Sequence, residues 1–229
     1  FRSRDKISYP GAICHITQRA PGREILFVED TDYLSMLRLI KTKSKEFNLK
    51  FLSFVLLPNH THFLLQLIQN NLSKAMKSIF EEYAFYFNKK YHRKGCVFCG
   101  RFRQALCFDP TYLLASSIYI HINPVVARLS KTVLEYRWSS ILPFIRKFKK
   151  ETFVDYKFIL DLLDENTASA RKTYGQLINQ ALQIKSEHSF DNIRILESFR
   201  EKLISPLKEI FLPNKPTTIL FDIEAKIDA

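Results

Sequence analysis

The chain has 229 residues, 46% of them hydrophobic, only five glycines and a formal net charge of +12. That composition is of an ordered globular chain with one sizeable core, and it excludes a low-complexity or disordered polypeptide. No run of about 18 uncharged apolar residues occurs and nothing at the first residues reads as a signal peptide, so the expectation is a soluble cytoplasmic protein with no membrane partner.

In chain order, AICHITQR (12–19) alternates as a strand does. DTDYLSMLRLIKTKSKEF (30–47) opens on the cap-type residues Asp30 and Thr31 and places Leu34, Leu37, Ile40 and Ser44 near one helical face. LKFLSFVLL (49–57) and HTHFLLQL (60–67) read as strands joined by a Pro58-Asn59 turn. A long amphipathic helix follows over 72–92, capped by Ser73, and Gly95 and Gly100 bracket a loop. RQALCF (103–108) is a fourth strand, and Asp109-Pro110 launches a helix that Pro124 disturbs or stops near Asn123. The order predicts an α+β fold: a ferredoxin-like βαββαβ core with an antiparallel sheet, an added helix carrying a tyrosine, and a helical C-terminal extension. Helices are expected there over 152–163, 168–183 and 192–211, and the basic run RKFKK sets a soft boundary between a 1–146 domain and a 147–229 extension.

A pI near 9.5 makes a polyanion the natural partner, because neutralising phosphates supplies affinity. The charge is clustered: Lys89, Lys90, His92, Arg93, Lys94, Arg101 and Arg103 interleave with Tyr86, Tyr91, Phe98 and Phe102, rings able to stack on unpaired bases. Of the four cysteines, Cys96 and Cys99 have zinc-knuckle spacing but lack a second pair, so free packing thiols are the better reading of all four, Cys14 and Cys107 included.

Two pairs stand out. His60 and His62, two apart on a strand, point the same way at about 7 Å along the backbone. They can converge on one cation, or each can hydrogen-bond locally beside the turn, and spacing alone leaves both open. Tyr119 and Asn123, at i and i+4, share a helical face while His121 points elsewhere. Read alone, these two are a core tyrosine and a helix-ending asparagine.

PNHTHFLL, GCVFCGRFR, YIHINPVVARL and YRWSS, in that order, resemble the REP-associated tyrosine transposases, a branch of the single-tyrosine HUH (IS200-like) transposases. The resemblance runs from about Tyr9 to Ser140, and RKTYGQLINQAL (171–182) is similar to the helical segment that often follows. It implies that His60, His62 and Asn123 hold a divalent Mg²⁺ or Mn²⁺, with no small-molecule cofactor, and that Tyr119 is the nucleophile. The implied activity is metal-dependent cleavage and strand transfer on single-stranded or hairpin DNA through a 5′-phosphotyrosine, by a nucleoid-associated monomer or homodimer. Lys89, Lys90, Arg93, Lys94, Arg101, Phe102 and Arg103 become the candidate DNA contacts. The alternative is a catalytically silent hairpin-binding protein with a regulatory or repeat-maintenance role. Thr61 departs from the bulky residue usual between the histidines. Tyr112, seven residues before Tyr119, is a rival nucleophile without an asparagine partner, and His121 reads as packing or support behind the site.

Overall fold

The computed structural model describes residues 6–22, 24–184 and 203. Two apolar runs on either side of Pro58-Asn59 make the central hairpin, β2 (Leu49–Leu57) and β3 (His60–Leu67), with Leu57 opposite His60. β1 (Ile13–Arg19) pairs with the other edge of β3, and β4 (Arg103–Leu106) with β1, all antiparallel in the order β2-β3-β1-β4. Helices α1 (Asp30–Glu46) and α2 (Leu72–Lys90) make the two crossovers, which is the split-βαβ plan expected.

Strand alternation then sorts the side chains. Phe63 turns toward α2 and stacks on Phe80 with ring centroids 6.0 Å apart. His60 and His62 turn the other way, toward α3 (Pro110–Val126), the tyrosine-bearing helix laid against β2 and β3. Helix α3 starts where Asp109 accepts a hydrogen bond from the Tyr112 N–H and Pro110 fills the first helical position. Pro124 does not end it: the helix runs to Val126, because proline deletes one N–H while the Ala127 N–H still reaches the Asn123 carbonyl at 2.8 Å.

Other boundaries also shift for physical reasons. Glu29, rather than Asp30 or Thr31, caps α1, and Asn71, rather than Ser73, caps α2. β4 ends at Leu106, although the Cys107 N–H still reaches the Ile13 carbonyl. Beyond α3, residue 139 bridges to Val55, then α4 (Leu142–Ile145), α5 (Tyr156–Leu160) and α6 (Thr167–Gln183) follow. The helix expected over 152–163 shrinks to the single turn α5, since Val154 is extended and bridges Phe51 on β2. α6 forms where expected, on an Asn166 cap, and packs on α3. The helix expected over 192–211 lies outside the described residues, Leu203 apart.

All four cysteines are free. Cys14 and Cys107 are packing residues, but Cys96 and Cys99 are exposed, so the packing reading fails for that pair. Among the described residues no helix is long and apolar enough to cross a membrane.

The two crossover helices are tied by a buried carboxylate. Asp32, fully buried in the first turn of α1, accepts hydrogen bonds from the Val28 and Glu29 backbone, from the Tyr86 and Tyr91 hydroxyls and from Lys90 Nζ at 2.6 Å. Burial pushes its pKa up, but Lys90, Tyr91 and the two N–H groups outweigh that and hold it below the usual carboxylate value. Asp32→Ala removes the shared acceptor of two phenols and two backbone N–H groups and leaves Lys90 with Glu29 alone as its carboxylate partner, and is expected to cost on the order of 2–3 kcal/mol in urea unfolding. A loss below about 0.5 kcal/mol, the range of an ordinary surface substitution, would contradict this clamp.

Candidate functional site

The site is assembled across β3, β1 and α3. On the sheet, His60 lies opposite Arg19, His62 opposite Thr17, and Leu64 opposite His15. Cross-strand partners share a face, so His15, Thr17 and Arg19 sit on the histidine face. The His60 and His62 rings are 4.9 Å apart and nearly perpendicular. The ring of Tyr119 meets His62 edge-on at 5.5 Å and His15 at 5.8 Å. Tyr112 instead sits in the first turn of α3, its backbone N–H taken by Asp109.

Hydrogen bonding sets the tautomers. His60 Nδ1 lies 2.6 Å from Asn59 Oδ1; a carboxamide oxygen only accepts, so the proton is on Nδ1 and Nε2 carries a lone pair. His62 Nδ1 lies 2.9 Å from His15 Nε2 and 3.1 Å from Thr17 Oγ1, while its Nε2 is buried without a partner. A proton on Nε2 would be a buried donor with no acceptor, so the arrangement favours Nδ1–H and a lone pair on Nε2. Burial, with His60 and His15 as neighbours, holds His62 well below the usual histidine value, and burial pushes His15 down to about 4. Both rings are neutral at physiological pH, the form that ligates metals.

Asn123, one turn beyond Tyr119, is buried and donates its Nδ2 to the Tyr119 carbonyl at 3.0 Å. The amide nitrogen, which cannot bind a cation, is thus the atom spent on the helix. The groups left over are neutral imidazole nitrogens on β3 and a carboxamide oxygen on α3, donor types that suit a divalent cation. Among the described residues no three His, Cys, Asp or Glu side chains converge as a metal-holding group.

His121 faces away from this centre, as the sequence predicts. Its Nδ1 lies 2.8 Å from the Tyr174 hydroxyl on α6 and its Nε2 2.9 Å from Ser140 Oγ. Tyr174 also meets Ser117 on α3, and Ser140 Oγ accepts from the Phe54 N–H at 2.8 Å. Three segments, α6, the stretch at Ser140 and β2, thus hold α3 through one buried polar network.

The basic residues divide. Lys90 is engaged by Asp32 and Glu29, and Arg93 by Glu24, with its guanidinium over the Phe87 ring. Phe102 is buried beneath Lys6 Nζ at 5.0 Å. Lys89, Lys94, Arg101 and Arg103 are exposed. Arg103 is in the cross-strand row of Thr17 and His62, on the histidine-bearing side of the sheet. Sequence reasoning missed His15, Thr17 and Arg19. Their period-2 spacing was visible, but only pairing with β3 shows that they share the histidines' face.

A protein-family model described as "Transposase IS200 like" matches residues 8–122. No curated protein matches the chain. Among solved structures, a REP-associated tyrosine transposase bound to a REP hairpin is similar, with 18% identity and a TM-score of 0.54 over 61% of this chain and 82% of that one. At that identity the likeness is one of fold.

The buried histidines predict acid sensitivity. Burial holds His121 down to about 3, whereas an unfolded imidazole binds its proton near 6.5. Between those values the unfolded state carries more protons. The stability contributed by neutral His121 is therefore complete above about pH 6.5 and is lost as pH falls toward 3, at about 1.4 kcal/mol per unit. Urea unfolding from pH 7 to 4 is expected to show this slope, and His121→Gln to flatten it. An unchanged slope in His121→Gln would contradict the assignment.

Proposed function

The chain belongs to the IS200-like transposase family, and from that premise we propose that it cuts and rejoins single-stranded DNA at hairpin-forming palindromic repeats by tyrosine transesterification. The observation that carries the reading is the Tyr119 ring set edge-on against His62, whose buried Nε2 lacks a partner. A core tyrosine needs no such neighbour, whereas a nucleophile that works beside a phosphate-binding cation does.

His60 and His62 through Nε2, with the Asn123 carboxamide oxygen, would hold Mg²⁺ or Mn²⁺. When bound, the ion neutralises phosphate charge and stabilises the departing 3′ oxygen. The Tyr119 hydroxyl attacks phosphorus; a P–O bond to tyrosine forms, the P–O3′ bond breaks, the phenol gives up its proton and the 3′ oxygen takes one. The product is a 5′-phosphotyrosine and a free 3′-OH. The ester keeps the energy of the broken bond, so a second 3′-OH can reverse the step on another strand.

The remaining residues position and bind. His15 and Thr17 orient His62 from Nδ1, as outer partners of metal-ligating histidines do. The His121 network fixes α3, so Tyr119 is delivered on a rigid element and acts beside the histidines of its own chain. We assign the chemistry to residues 1–146 and a bracing role to the extension from 147, through Tyr174.

Lys89, Lys94, Arg101 and Arg103 track backbone phosphates. Lys90 and Arg93 act by holding the α1–α2 end and the loop after α2, and Phe102 by packing beneath that surface. The hairpin held by the similar transposase structure suggests the folded part of the substrate. Such a substrate places the protein on the nucleoid, in the cytoplasm.

A 3′-labelled hairpin oligonucleotide with single-stranded flanks, incubated with Mn²⁺, is expected to give an SDS-stable labelled protein–DNA adduct. Tyr119→Phe is expected to lower that adduct by more than about 100-fold. Adduct of wild-type yield from Tyr119→Phe would move the nucleophile elsewhere. Tight binding without nicking in either metal would replace this reading with a silent hairpin-binding protein, and a free 5′-phosphate without adduct with hydrolysis by water.

A further inference from the structure

A second surface feature lies at the β2 edge, where a cavity of about 540 Å³ opens between α1 and the two segments that follow α3, 134–143 and 148–154. Its volume falls within the range of small-ligand sites. Among the described residues three cations line it, Arg38, Lys41 and Arg137, and no carboxylate does. Its walls are flat and apolar: Phe54 and Phe153 stack in parallel, 5.8 Å apart and within 9°, and Leu34 and Leu142 stand 41% and 40% exposed at the rim. Arg137 is paired with Asp30, but Arg38 and Lys41 make no ion pair among the described residues.

A ligand matching this lining is planar and apolar on one side and anionic on the other, which describes a nucleotide. A peptide fits less well, because the β2 edge beside the cavity is already bridged by residue 139 at Val55 and by Val154 at Phe51, leaving no continuous edge for strand addition. We propose that this cavity binds one unpaired nucleotide of the DNA strand, its base against Phe153 and its phosphates on Arg38 and Lys41. The proposal rests on the single-stranded-DNA reading above and adds a contact site away from the tyrosine centre. Base stacking on aromatic walls beside a cationic rim is how single strands are held without sequence-specific pairing.

The floor of the cavity gives the site a second consequence. It includes Phe54 and Ser140, whose backbone and hydroxyl contacts carry the 2.9 Å link to His121, two residues after Tyr119. A guest seated on Ser140 is thus one hydrogen bond from the helix that presents the nucleophile.

The test uses the full chain and hairpin oligonucleotides carrying 4-thiothymidine at one single-stranded position at a time. Irradiation is expected to crosslink one unpaired position to peptides spanning 134–143 or 148–154, in the wild type and in Tyr119→Phe alike. Arg38→Glu with Lys41→Glu, both on the exposed face of α1, is expected to abolish that crosslink and weaken single-strand binding about tenfold, with a shallower salt dependence. Circular dichroism checks that this variant keeps its fold. Crosslinks confined to 89–103 and α3, or unchanged binding by the double variant, would overturn the proposal. So would a change of oligomeric state in that variant without loss of the crosslink, which would assign the face to a second copy. The two readings fail separately: a wild type that crosslinks but forms no adduct sinks the catalytic reading alone, and a wild type that forms the adduct without this crosslink sinks this one alone.

Discussion

The 2.9 Å contact between His15 Nε2 and His62 Nδ1 joins two buried rings that burial keeps neutral, and only one proton can lie between them. If His62 supplies it, its Nε2 faces the tyrosine helix as a lone pair; if His15 supplies it, a buried N–H is left with no acceptor. Thr17, 3.1 Å away on the same strand, offers an acceptor for the same proton. The chemistry open to the centre depends on this choice, and the choice depends on the register that sets Thr17 opposite His62. A slip of one residue would carry both histidines to the face packed by α2.

Register alone does not place Tyr119. The sheet supplies His60 and His62, but Tyr119 arrives on a helix that could rock if it were held by apolar contacts only. His121, Ser117, Tyr174 and Ser140 resist that motion with directed hydrogen bonds inside the core. Losing one partner would leave the others buried and unsatisfied, so the network specifies one helix position more sharply than packing would. The Asp32 clamp does the same work on the opposite face, holding α1 to the end of α2. The two faces of the sheet are therefore braced by different means: a buried carboxylate clamp on one, and on the other the polar network that holds Tyr119 beside His62.

Much of this was legible in the sequence, and the reasons it stopped are physical. Strand period alone aligns His60 with His62, and helical period alone aligns Tyr119 with Asn123, because each relation is local. The partners that give these pairs meaning are not local: His15 lies 47 positions before His62, and Tyr174 lies 53 after His121. In the sequence Lys90 is one of a run of cations, and only the fold brings Asp32, 58 positions away, to within 2.6 Å of it. Pro124 reads as a stop signal, yet the bonds on either side of it outlast the one it removes. The shrinkage of the helix expected over 152–163 has the same origin, since Val154 gains a sheet bridge that local propensity cannot foresee.

The central claim is that His60 and His62 present Nε2 lone pairs, with the Asn123 oxygen, to one cation in front of Tyr119. Diffraction from crystals soaked in Mn²⁺, recorded at a wavelength where manganese scatters anomalously, locates that ion without reference to activity. The account predicts one strong anomalous peak bonded to Nε2 of both histidines and to Asn123 Oδ1, with the Tyr119 hydroxyl facing it. A peak bonded through Nδ1, a peak that leaves out either histidine, or no peak there at saturating Mn²⁺ would contradict it.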